Sequence, residues 1–143
     1  MRAFLIAAFA LAACAQTQAP PPPAANLPQH ILEDLAQREA ALREPGVVAA
    51  AIGQTADLGG GLRVRPLEVL EDSRCPQNAR CVWAGRVRLR VSIEGAGERE
   101  ISSEEEAVQT PHGAFTLAAI LPGPWTDWPA DQRPPYRFGF KRT

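Results

Sequence analysis

Residues 86–94, RVRLRVSIE, alternate without a break: Val87, Leu89, Val91 and Ile93 are apolar, while Arg86, Arg88, Arg90, Ser92 and Glu94 are polar. Successive side chains of a strand point to opposite faces, so a period of two marks a strand with one dry and one wet face. A helix would scatter the same apolar residues around its circumference. The dry face needs a second layer to cover it, and a small antiparallel sandwich or barrel supplies one. Gly95-Ala96-Gly97 then turns the chain into residues 98–102. For Ile101 to join Val91 and Ile93 in the core, odd residues must face odd ones. A three-residue loop is expected to set Glu94 opposite Glu98, Arg90 opposite Ser102 and Arg88 opposite Glu104. The Arg86, Arg88, Arg90 row then has two readings: a solvated face balanced by Glu100 and the run Glu104-Glu105-Glu106, or a groove for an anionic or acidic partner.

Strand signals recur on either side. Residues 47–55 are mostly apolar and precede the turn-forming Asp57-Leu58-Gly59-Gly60-Gly61. Residues 62–70 alternate in part, and Pro66 shifts the phase, which calls for an edge strand or a bulge. Residues 114–121 and 136–141 complete a set of about six strands, separated by a proline-rich segment, residues 122–135, in which ladder pairing is blocked. A mainly β domain over residues 46–143 is the expectation. Ahead of it, residues 26–45 read as one amphipathic helix, with Asn26 able to cap, Pro28 in the first turn and Pro45-Gly46 ending the pattern. Its apolar stripe, Ile31, Leu35 and Leu42, is narrow, so the helix either lies on the β domain or extends from it. His30, beside this stripe, reads as a surface residue.

The first residues, MRAFLIAAFALAAC, place one cation, Arg2, before an apolar run and then small residues, the order of an export signal. The run is much shorter than the roughly 20 apolar residues that span a bilayer. Leu11-Ala12-Ala13-Cys14 resembles a bacterial lipobox. That resemblance implies removal of residues 1–13 and a diacylglyceryl group on Cys14, and Ala15 rather than Asp at the next position implies sorting to the outer membrane over the inner one. Residues 14–25, with four consecutive prolines and no apolar side chain larger than alanine, form a tether expected to be polyproline II or coil.

Acylation of Cys14 leaves Cys75 and Cys81 as the remaining two of three cysteines. An exported compartment favours their oxidation to a disulfide. Structural zinc needs about four ligands, and the two histidines lie far from the pair in sequence; redox cycling of the thioredoxin kind uses a C-x-x-C motif at a helix start. A staple closing so short a loop contributes about 2 kcal/mol to a small domain. In an extended chain Cys81, Trp83 and Gly85 share a face, which would let Trp83 pack over the disulfide or close the end of the core. Asp72 and Ser73 suit a turn before Cys75, and Arg74 and Arg80 flank the loop. The whole stretch, DSRCPQNARCVWAG at residues 72–85, resembles a motif of small, uncharacterised exported bacterial proteins and lipoproteins. The resemblance extends over residues 72–93 and implies a β-rich extracytoplasmic module; it brings no catalytic residues.

A formal net charge of −1 argues against nucleic acid as a partner. Ser73, Ser92, Ser102 and Ser103 have only His30 and His112 as prospective bases, and no spacing links them into a nucleophile and base. The expectation is a protein with no catalytic residues, no metal and no cofactor. Trp125 and Trp128, three apart in the proline-rich segment, either stack on a glycan or protein partner or cap the open end of the β domain. The resulting expectation is a lipid-anchored, periplasm-facing outer-membrane protein, structural or binding a protein or glycan, with Trp125, Trp128 and the arginine row as contact candidates. A protease-inhibitor-like module is the alternative and an envelope hydrolase a more distant one.

Overall fold

The computed structural model describes residues 27–143, so the signal, Cys14, the tether and Asn26 lie outside the described residues. Within it, helix α1 (Gln29–Ala41) precedes eight strands: β1 (Val47–Ala51), β2 (Ala56–Asp57), β3 (Arg63–Asp72), β4 (Val87–Ile93), β5 (Gly97–Ser102), β6 (Val108–Thr110), β7 (Gly113–Leu121) and β8 (Arg137–Arg142). They form two four-stranded antiparallel sheets, ordered β1-β8-β7-β6 and β2-β3-β4-β5. The arrangement is sandwich-like, with no closed barrel. All six expected strands are present. The two additions, β2 and β6, are two and three residues long, too short to carry a period.

The core lies between the sheets. Val87, Leu89, Val91 and Ile93 are buried at every odd position of β4, and Ile101 joins them from β5. Phe115, Phe138 and Phe140 supply the opposite layer. Phe115 meets Phe140 edge to face at 5.8 Å, a favoured aromatic geometry. In β3 the register shifts between Pro66 and Glu68, so the proline sits beside a bulge.

The β4–β5 register keeps the expected faces but is displaced by two residues. Ile93 pairs with Gly97, Arg90 with Glu100 and Arg88 with Ser102. The turn is Glu94-Gly95-Ala96, closed by Ala96 N–H donating to the Ile93 carbonyl at 3.0 Å, and Gly97 already belongs to the ladder at φ 78°. A glycine able to adopt positive φ can end a loop inside the strand, which apolar periodicity does not reveal.

Helix α1 lies against β7 rather than standing free of the domain. Ile31 and Leu42 are buried and Leu35 is half-buried. Asp34 is also buried: Arg38 Nε donates to its two oxygens at 3.0 and 2.8 Å, and Arg38 Nη1 donates to the Ile120 carbonyl at 2.9 Å. This ion pair ties a helix with little apolar surface to the sheet, because each buried charge finds a partner. Among the described residues no side chain caps the helix start; the Pro28 carbonyl accepts from Ile31 and Leu32.

Candidate functional site

Three segments meet at one end of the sandwich: residues 72–85, residues 122–135 and the first turns of α1. Asp72 ends β3 and turns back on its own neighbour. Arg74 Nε donates to Asp72 Oδ1 at 2.8 Å, and Arg74 Nη2 donates to Oδ2 at 2.7 Å and to the Pro122 carbonyl at 3.0 Å. Tyr136, just before β8, donates its hydroxyl to Asp72 Oδ2 at 2.7 Å. Burial alone would raise the Asp72 carboxyl. The hydrogen bonds from Arg74 and Tyr136, with the Arg74 charge, outweigh it and hold Asp72 below the usual carboxylate range. Burial first, then the bond to Asp72 and its charge, push the Tyr136 phenol up. The Asp72 and Arg74 of the motif therefore fasten the two sheets together at this end.

Cys75 and Cys81 form the disulfide, with Cα atoms 5.8 Å apart. Backbone bonds continue the closure: Cys75 N–H donates to the Ala84 carbonyl at 2.8 Å and Ser73 N–H to that of Arg86 at 2.9 Å. Gly85, at φ 68°, is required here, since a Cβ on it would lie 1.7 Å from the Ser73 carbonyl oxygen. The tip of the loop is held by the proline-rich segment. Gln77 N–H donates to the Pro124 carbonyl at 2.8 Å, and Asn78 Nδ2 donates to Thr126 Oγ1 at 2.8 Å and Asp127 Oδ1 at 3.1 Å.

Trp83 does not pack on the disulfide or the core. It is 81 % exposed, and Val82 beside it is 89 % exposed. The expectation of burial assumed an extended chain from Cys81 to Gly85, whereas this stretch carries bends and no ladder, and β4 begins only at Val87. Without strand geometry, alternate residues have no reason to share a face.

Trp125 and Trp128 are half-buried. Trp128 Nε1 donates to the Gly123 carbonyl at 3.0 Å. Trp125 lies 4.6 Å from the His30 ring, tilted 48°, and His30 Nε2 is 2.9 Å from Asp127 Oδ2. His30 thus belongs to this end through the tryptophan segment. The Trp125 indole N–H is buried with no acceptor among the described residues.

Arg88 and Arg90 lie on the wet face of β4 and Arg86 just before it, matched by acids from β3, β5 and the turn after β5. Arg90 pairs with Glu68 at 3.1 Å, Arg88 with Glu71 at 3.3 Å and with Glu100, and Arg86 with Glu104 at 3.4 Å and Glu71 at 3.7 Å. Glu68 and Glu71 come from β3, whose register across Pro66 the alternation alone does not fix. Ser73 first, opposed by slight desolvation and aided by Arg88 and Arg86, holds Glu71 below the usual carboxylate range. This geometry matches the solvated face, where water screens each exposed pair.

His112 sits in the β6–β7 turn against Gly61 and Gly95 of the opposite sheet, where added Cβ atoms would approach its ring nitrogens to 3.3 and 2.7 Å. Ser73 Oγ donates to Glu71 Oε1 at 2.7 Å, and Ser103 Oγ accepts from Val87 N–H at 3.0 Å. Asp127, Arg133 and Tyr136 are the members of the stapled end that sequence reasoning missed. Only tertiary contacts bring them to residues 72–85, from as far as 64 positions away. Comparisons with protein-family models, curated proteins and solved structures find no match for this chain.

Proposed function

We propose that the chain is a non-enzymatic envelope lipoprotein, anchored through acylated Cys14 in the outer membrane and facing the periplasm, whose sandwich binds a protein or glycan partner through its stapled end. The observation that carries the binding reading is the pair Val82 and Trp83: two adjacent large apolar side chains, almost wholly exposed, on a loop fastened by a disulfide. Apolar side chains presented together mark contact surfaces, tryptophan is among the strongest anchors of interfaces, and a pre-ordered loop loses little entropy on binding. The anchor reading is supported by the lipobox-like residues 11–14 and the proline-rich tether. The same loop, a stiff exposed projection, also supports the second reading, insertion into a protease cleft.

A photo-crosslinking residue at position 83, in cells making the full chain, tests the binding reading. A discrete adduct at 83, absent from a control at exposed Ile52, is expected; equal labelling at both positions, or none at 83, would refute it. Inhibition of purified envelope proteases that is lost in Trp83→Ala would select the second reading.

A further inference from the structure

A cleft of about 240 Å³ opens between the start of the stapled segment, the tryptophan segment and the approach to β8; Asp72, Arg74, Pro124, Trp125, Arg133 and Tyr136 line it. Its polar groups are unequally committed. Both oxygens of Asp72 are filled by Arg74 and Tyr136, and Arg74 is occupied by Asp72 and the Pro122 carbonyl. Arg133 is different. Its guanidinium is 3.9 Å from Asp72, makes one long contact of 3.5 Å to the Tyr136 hydroxyl, lies 5.8 Å from that ring's centroid, and is 40 % exposed. The indole N–H of Trp125 is buried with no acceptor among the described residues. The cleft therefore holds a cation with unused capacity, while its carboxylate is saturated.

We propose that this cleft binds a carboxylate monoanion, with Arg133 pairing to the carboxylate and the proline and aromatic walls packing against the group that bears it. A guanidinium matches a carboxylate through two parallel hydrogen bonds, and flat apolar walls favour an attached ring or side chain. One negative and two positive side chains line the cleft, a balance that suits one charge better than the two of a phosphate monoester. A peptide C-terminus and an acidic sugar share this chemistry. The site is separate from the Val82–Trp83 surface and independent of the lipid anchor.

The test is titration of the purified full chain in detergent micelles, followed by the indole nitrogen–proton NMR signals of its three tryptophans, with Trp125→Phe used to assign the relevant one. The probes are N-acetyl-Leu-Ala with a free carboxylate, the same peptide as its C-terminal amide, and glucuronate. At least one of the two acids should bind and shift the Trp125 indole signal, and the amide should bind at least tenfold more weakly; which acid binds distinguishes peptide from sugar. Arg133→Gln should lose about tenfold or more in affinity, Arg133→Lys should recover part of it, and Ile52→Ala should bind as the unsubstituted protein does. Because Arg133 is 40 % exposed and makes only long contacts to Asp72 and Tyr136, its variants should melt with the parent, so lost binding is not lost folding. No binding of either acid at 10-fold molar excess over about 1 mM protein, equal binding of acid and amide, or undiminished binding by Arg133→Gln would overturn the proposal.

Discussion

Gly85 and Asp72 show how single residues hold the stapled end in place. Gly85→Ala drives a Cβ to 1.7 Å from the Ser73 carbonyl at a backbone φ of 68°. The clash is with backbone, which cannot swing aside, so a loss of about 2–4 kcal/mol is expected by denaturant unfolding. Trp83→Ala, by contrast, should change stability by less than about 0.5 kcal/mol, because an exposed side chain leaves no cavity. Asp72 and Tyr136 give the domain a pH window. The Asp72 carboxyl is lowered on folding, so its contribution is complete above its unfolded value of about 4 and disappears as pH falls through the lower folded value. The Tyr136 phenol is raised, so its contribution is complete below about 10 and is lost as pH rises through the folded value. Melting temperature measured from pH 2 to 11 should fall at both ends. Tyr136→Phe should flatten the alkaline limb, and a limb unchanged in that variant would exclude this bond as its source.

Among the elements, β4 was the most legible and the stapled loop the least. Four apolar residues at odd positions predict the buried face of β4 because a fixed period of two links sequence to side-chain direction. The spacing of Cys75 and Cys81 identifies a staple in the same local way, yet the position of Trp83 depends on how residues 81–85 bend, which no periodicity records. Cys75→Ser with Cys81→Ser should lower unfolding free energy by about 2 kcal/mol, measured against the oxidised parent. The double variant should also lose the pre-ordering of Val82 and Trp83, seen as faster amide exchange over residues 75–84. In α1, Asp34→Ala would leave the half-buried Arg38 without its carboxylate partner, and about 1–3 kcal/mol of destabilisation is expected, an effect that the narrow stripe of Ile31, Leu35 and Leu42 does not foretell.

Cys14→Ala should move the protein from the membrane fraction to the soluble periplasmic fraction and abolish incorporation of labelled fatty acid, leaving the melting temperature of the β domain unchanged. Membrane association that survives this substitution would remove the anchor from the functional reading. The sequence by itself determined a β-rich domain with alternating faces, a cysteine pair in reach of each other and a leading helix, because periodicity, short loops and turn formers act between near neighbours. The tertiary structure decided the two-residue displacement of the β4–β5 pairing, the exposure of Trp83, and the meeting of Asp72 with Tyr136 and of His30 with Asp127. It also placed Arg133 beside Trp125 in one cleft. These contacts join residues far apart in the chain, and their geometry follows from how two twisted sheets and their loops pack, which the order of apolar and polar residues along the chain does not encode.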